Sequence, residues 1–322
     1  RGRRPPPAKK NEIMRLLAGL LEPETAGSPT GKGPKWCRRS TYWLCDQLAG
    51  RGISICPNSV GKMLILADYS LRCCRKSISG TNHPDRDRQF QRLQELRRRF
   101  ERLALPIISV DTKNRELVGN FSNRGRTYRR DPYETSAYDF RSDALGVAIP
   151  YGILDVTHNT GTVVVGTTHD TPQFAVDSIE TWLVTSGFPT YGQFEELLIL
   201  ADAGGSNGAQ PRLWKYALHQ CISGPYGIRI TICHYPSGAS KWNPVEHRLF
   251  GPITNNWQGE PLRDYERVLG FIGSTKTKTG LRVDSFLNQR TYPCGVKVSD
   301  DQMEAISLER EEVLPHWNYT IG

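Results

Sequence analysis

The segment Leu197-Leu-Ile-Leu-Ala-Asp202, followed at once by Ala203-Gly-Gly-Ser-Asn-Gly208, constrains the fold more than any other. An unbroken apolar run of this length reads as a strand buried on both faces, which needs cover above and below. The glycines stop the strand. Asp202 therefore stands at its C-terminal edge, where open α/β sheets place their sites. Two more acids hold comparable positions. Asp111 ends the run Pro106-Ile-Ile-Ser-Val, and Glu246 lies in Ser240-Lys-Trp-Asn-Pro-Val-Glu-His247. Pro244 suits the first turn of a helix, so Glu246 is expected about one turn in. Three acids at element edges, far apart in sequence, point to a carboxylate cluster made for divalent metal.

The pattern around them changes near residue 106. Upstream it is helical: residues 11–22, 40–50 and 57–68 carry apolar positions at helical spacing, with a Pro/Gly-rich break at 23–34. The 40–50 and 57–68 segments, joined by a short Gly-containing connector, predict a helix-turn-helix whose second helix enters the major groove. Asn58, Ser59 and Lys62 on that helix, with Arg38 and Arg39 before it, are the candidate DNA contacts. Residues 85–102 form a highly charged amphipathic helix with Phe90, Leu93, Leu96 and Phe100 on one stripe. Downstream the order is three antiparallel strands, helix, strand, helix, strand, helix. The expected domains are 1–80 (basic arm and helix-turn-helix), 81–105 (charged linker helix), 106–257 (catalytic domain) and 258–322 (C-terminal extension packed on it).

Charge follows the same division. Residues 1–105 hold 22 Lys+Arg against 9 Asp+Glu, a net of +13, and the rest hold 20 against 24, or −4, which together give the +9 of the chain. A basic module joined to a near-neutral one suits a polyanion-binding domain tethered to a catalytic one. The 8 Cys form no C-x-x-C pair, so they are expected to be reduced packing thiols rather than a metal or disulfide framework. No apolar run approaches the roughly 20 residues of a membrane span, and the start lacks a signal-peptide pattern. The expected location is intracellular, in bacterial cytoplasm or nucleoid, with no membrane contact.

Acids on the first strand, the fourth strand and the last helix are the ribonuclease-H-like arrangement: an α/β domain with a mixed five-stranded sheet flanked by helices, preceded here by an all-α region. In that fold the first strand lies beside the fourth, which makes Asp111 and Asp202 neighbours, and the closing helix brings Glu246 to them. Clustered carboxylates repel, at about 4 kcal/mol per pair at 4 Å and an effective dielectric near 20. Such a site takes up a proton or binds cations, and hard oxygen ligands suit Mg²⁺, with Mn²⁺ as a substitute. Two ions roughly 3.5–4 Å apart can activate a water or 3′-hydroxyl and stabilise the leaving oxygen of a phosphodiester. Asn243 shares the Glu246 face and is a candidate to orient the Glu or a metal-bound water. Lys113 and Lys241 are candidate phosphate contacts. His247, next to Glu246 but pointing away, is given a supporting role. His234 is considered for phosphate contact, and Asp170 for a helix N-cap.

Several strings then match one family. They are I-S-V-D-T-K at 108–113, E-L-V-G-N-F at 116–121, A-I-P-Y-G at 148–152, H-D-T at 169–171, G-G-S-N-G at 204–208, S-K-W-N-P-V-E-H-R-L-F at 240–250 and T-Y-P-x-G-V-K-V-S-D at 291–300. T-N-H-P-D-R-D at 81–87 and W-N-Y-T-I at 317–321 join them. They resemble the Rhodopirellula-type DDE transposases, insertion-sequence enzymes distantly similar to mariner transposases. The resemblance implies an enzyme that binds the inverted ends of its own element, cleaves there and joins the 3′ ends to target DNA. It implies Asp111, Asp202 and Glu246 as catalytic metal ligands, double-stranded DNA as partner, and a homodimer or larger assembly on DNA. Ala203 stands where many relatives have Gly. Two alternatives remain open: a non-catalytic DNA-binding repressor derived from a transposase, and a general nuclease of the same fold. Nicking of supercoiled DNA only at cognate ends separates the first reading from both.

Overall fold

The computed structural model describes residues 7–26, 36–37, 39–67, 69 and 83–322. It divides into two units, Arg1–Ile78 and Ser79–Gly322. In the first unit, helices α1 (Pro7–Glu24), α2 (Thr41–Ala49) and α3 (Pro57–Leu66) share one apolar core. Ser40 caps α2 by accepting the Trp43 amide at 3.1 Å, and Pro57 opens α3 where a missing N–H costs nothing. Leu44, Leu48, Val60 and Met63 face inward. Asn58 and Lys62, one turn apart, face solvent on α3.

The second unit begins with α4 (Arg86–Arg102) and continues into a sheet. Its strands are β1 (Ile107–Thr112), β2 (Glu116–Val118), β3 (Gly146–Asp155), β4 (Thr160–Gly166), β5 (Glu196–Asp202), β6 (Arg229–Tyr235), β7 (Arg282–Asn288), β8 (Leu308–Arg310) and β9 (Asn318–Ile321). The order across the sheet is β8-β9-β6-β5-β1-β3-β4-β7, with β2 paired to β3. The expected five-stranded core (β3, β4, β1, β5, β6) is present, but the sheet has nine strands. The additions come mainly from beyond Trp257, where hydrophobic periodicity is weak and pairing partners are distant. β9 adds to the edge of β6, so the chain's end is part of the sheet rather than a free surface.

β1 and β5 run parallel at the centre, with Val110 opposite Ala201. Their side chains alternate between faces. Ile108, Val110, Leu197, Ile199 and Ala201 enter one apolar cluster with α5 (Pro172–Trp182) and α6 (Arg212–Leu218), whose Phe174, Trp182, Trp214 and Leu218 fill it. Ile107, Leu198 and Leu200 enter another beneath Leu93, Leu96 and Phe100 of α4. Beside that second layer, the Glu246–Phe250 turn and α7 (Gly251–Asn256) cover β3 and β4. They approach closely because Gly152 and Gly161 leave the space; a Cβ at either would strike Phe250 or Leu249. Glu246–Phe250 is a π-helical turn. Pro252 lacks the N–H that would bond the Arg248 carbonyl, which favours this wider turn.

Candidate active site

Alternation along the strands decides which face carries the acids. If Ile108 and Val110 point to the α5 side, Ser109 and Asp111 point to the other. The same parity sends Asp202 away from Leu197, Ile199 and Ala201. Asp111 and Asp202 are successive to the paired Val110 and Ala201 on adjacent parallel strands, so they stand side by side. The Glu246 turn covers that same face.

The electrostatics record the meeting. Burial first, then the charges of Asp202 and Glu246, push Asp111 from its ordinary 3.8 up to about 8. The Asp111 carboxylate also accepts the Thr112 amide at 2.8 Å, which opposes the rise. Burial also raises Asp202, with the Glu246 charge adding to it and an Asn243 hydrogen bond opposing it. The charges that act on Asp111 are thus those of the other two acids.

Asn243 is wholly buried, and its amide donates to Asp202 Oδ1 at 3.0 Å and to the Val110 carbonyl at 3.3 Å. Its side chain holds Asp202, and its backbone carbonyl accepts the Glu246 amide at 3.2 Å. Its own orientation is set by Ser109, which sequence reasoning passed over. The buried Ser109 hydroxyl donates to Asn243 Oδ1 and accepts the Val245 amide at 3.1 Å. One hydroxyl on the Asp111 strand therefore ties down both the amide that holds Asp202 and the residue before Glu246. A small polar residue two places before Asp111, within an otherwise apolar strand, was the available signal.

His234 is corrected. It lies inside β6, fully buried, and burial lowers it to about 4. Neutral, it donates from Nδ1 to the Asp202 carbonyl at 2.9 Å and accepts at Nε2 from the Tyr319 hydroxyl at 3.0 Å. It braces the backbone under Asp202 and does not reach phosphate. Asp170 is corrected too. Thr171 caps α5 by accepting the Phe174 amide at 3.3 Å, while Asp170 accepts from Thr112 Oγ1 at 3.2 Å, beside Asp111.

Lys113 is mostly buried, paired with Glu116 at 2.6 Å and 4.6 Å from the Trp257 ring centre. With Thr112, Glu246, Gly251 and Thr254 it lines a cleft of about 320 Å³. Lys241 and His247 are exposed, and His247 Nε2 hydrogen-bonds the Lys241 carbonyl. In the first unit Arg39 is exposed 4.9 Å from the Trp43 ring centre, and Ser59 is half-buried with its hydroxyl 3.2 Å from Cys56 Sγ. Arg38 lies outside the described residues.

The donor set fits a hard divalent cation in kind: carboxylate oxygens, partly desolvated, with negative neighbours. Among the described residues no three His, Cys, Asp or Glu side chains are drawn in around one cation-sized point.

A family model described as the Rhodopirellula transposase DDE domain matches residues 16–322. No curated protein matches the chain. Among solved structures, the Mos1 transposase paired-end complex with left transposon end aligns at 15% identity and a TM-score of 0.43, over 84% of this chain and 72% of that one. A pre-cleavage Mos1 transpososome aligns at 14% identity and the same TM-score, over 84% and 72%. The mariner Mos1 paired end complex with Mg aligns at 16% identity and 0.43, again over 84% and 72%.

Proposed function

The chain belongs to the Rhodopirellula transposase DDE-domain family and is an insertion-sequence transposase, and on that premise we propose how its residues carry out the reaction. Asp111, Asp202 and Glu246 are the catalytic acids and would hold Mg²⁺, two ions when fully loaded, with Mn²⁺ able to replace it. Bound there, the metal would activate the attacking oxygen and stabilise the leaving one in phosphodiester cleavage and strand transfer. The observation that carries this reading is the convergence of the three acids, which repel one another and raise the affinity of Asp111 for a positive partner.

The chain's own residues supply geometry. Asn243 commits one oxygen of Asp202 to the protein and leaves the other for a ligand. Ser109 fixes that amide, and His234 fixes the backbone beneath. Preorganised ligands avoid reorganisation during the reaction.

We further propose that residues 1–80 recognise the inverted ends through Asn58, Ser59, Lys62, Arg38 and Arg39, that 81–105 links them to the catalytic domain at 106–257, and that 258–322 completes its sheet. Joining two ends in one event calls for at least a dimer on DNA. Among the described residues no helix is long and apolar enough to cross a membrane; a bacterial nucleoid location is part of the same proposal.

The test is Asp202→Asn on supercoiled plasmid bearing the element's ends with Mg²⁺. End binding should persist and strand cleavage should fall at least about a thousandfold. Cleavage at the normal rate would remove Asp202 from the metal site. Lys62→Ala should weaken end binding and reduce the salt-dependence slope by about one; an unchanged slope would exclude Lys62 as a phosphate contact.

A further inference from the structure

Arg86, from the family-matching string at 81–87, and the S-K-W-N-P segment at 240–244 meet in space at a place the acid chemistry does not use. Arg86 on α4 and Lys241 both lie over the Trp242 ring, 4.5 and 4.2 Å from its centre. Phe90 holds the ring by its edge at 5.7 Å. Trp242 nevertheless stays 44% exposed.

Of the other α4 cations, Arg88, Arg98 and Arg102 form no ion pair among the described residues and three are neutralised by carboxylates, so it is the aromatic mount that sets Arg86 apart. Arg92 binds Glu311 at 2.6 Å, Arg99 binds Glu196 at 2.7 Å, and Arg97 binds Glu101 at 3.4 Å. Arg86 and Lys241 form no ion pair with a carboxylate among the described residues; the aromatic face is what fixes them. A guanidinium or ammonium held by a ring keeps its N–H edge free, and a planar guanidinium suits bidentate capture of phosphate.

The position matters as much as the charge. Trp242 directly precedes Asn243, whose amide holds Asp202. The Lys241 carbonyl accepts from His247, the neighbour of Glu246. Three acids repel an approaching DNA strand, and two fixed, unneutralised cations tied to the same turn counter that repulsion.

We propose that Arg86 and Lys241, mounted on Trp242, grip a backbone phosphate of the DNA strand beside the scissile bond. This rests on the transposase reading and adds a substrate-contact site to it. Arg86 and Lys241 act on binding of the strand, while the acids act on its cleavage.

The experiment uses the full chain, Mg²⁺, and duplexes carrying the inverted repeat found beside the coding region. A single charge-neutral methylphosphonate replaces each phosphate near the cleavage point in turn. In the wild type, one or two flanking positions should lower kcat/KM roughly tenfold. Arg86→Ala and Lys241→Ala should each lower kcat/KM on the unmodified duplex, mainly through KM, and should be insensitive to the methylphosphonate at those positions. Trp242→Ala should behave like them, and Trp242→Phe, which keeps a ring, should retain most of the wild-type profile. Lys241 and Trp242 are exposed, so their variants test the grip even if Arg86→Ala perturbs α4. Identical profiles in wild type and all variants would overturn the grip and leave the transposase reading intact. A wild type that cleaves none of the duplexes would overturn the reading and the grip together.

Discussion

Strands β1 and β5 present alternate residues to two unlike environments. Toward α5 and α6 they offer Ile108, Val110, Leu197, Ile199 and Ala201, packed in one apolar cluster with Trp182 and Trp214. Toward the Glu246 turn they offer the buried hydroxyl of Ser109 and two partly buried acids, Asp111 and Asp202, with Ser109 and Asp202 joined through Asn243. The first environment is where apolar burial stabilises the sheet. The second holds like charges together against their repulsion. A protein can sustain the strain of the second because the first is bonded to the same backbone, one residue away.

The largest expected effect comes from breaking the apolar side. Trp182 is 1% exposed. Trp182→Ala should destabilise the second unit by about 3–5 kcal/mol in urea unfolding, with the stabilisation gained on adding Mg²⁺ unchanged. A loss of that metal response would show the two faces to be coupled rather than separate.

Next comes the polar network. Ser109→Ala leaves Asn243 Oδ1 and the Val245 amide short of a partner, costing about 1–3 kcal/mol. It should also cut strand cleavage by about tenfold or more. A variant with lowered stability but unaltered cleavage per folded molecule would confine Ser109 to packing.

The smallest effect has the opposite sign. The folded-state value of Asp111 is raised, from 3.8 to about 8. Between those pH values the folded chain keeps a proton that the unfolded chain has released, so metal-free stability falls as pH rises through the window. Asp111→Asn should remove that slope and stabilise the metal-free protein at pH 8. Thermal melts in EDTA from pH 5 to 9 would check it. If the wild type is as stable at pH 9 as at pH 5, Asp111 does not carry the stored repulsion.

Much of this contrast was legible before any coordinates. The apolar runs gave buried central strands, and Ser40, Pro57 and Pro244 marked helix starts through local backbone chemistry. The three acids stood out because two ended apolar runs and the third followed a helix-starting proline. The flanking strands β7, β8 and β9 were not legible, since their pairing depends on residues far along the chain. Nor were the partners of His234, which looked available at the end of an apolar run and is fully buried.

Asp155 shows where sequence stops. It too ends an apolar run, Ile153-Leu-Asp155, and on pattern alone it competes with Asp111 and Asp202. β3 runs antiparallel to β1, with Asp155 opposite Ile108, so it emerges at the other end of the sheet. There its carboxylate accepts the Thr157 and His158 amides and the Tyr191 hydroxyl, each at 2.9 Å. Sequence alone determined the central strands and which residues sit at their ends, because periodicity and turn chemistry are local. Only the tertiary structure decided which of those ends face one another, because strand direction and side-chain parity across a sheet are properties of the pairing and not of any one segment.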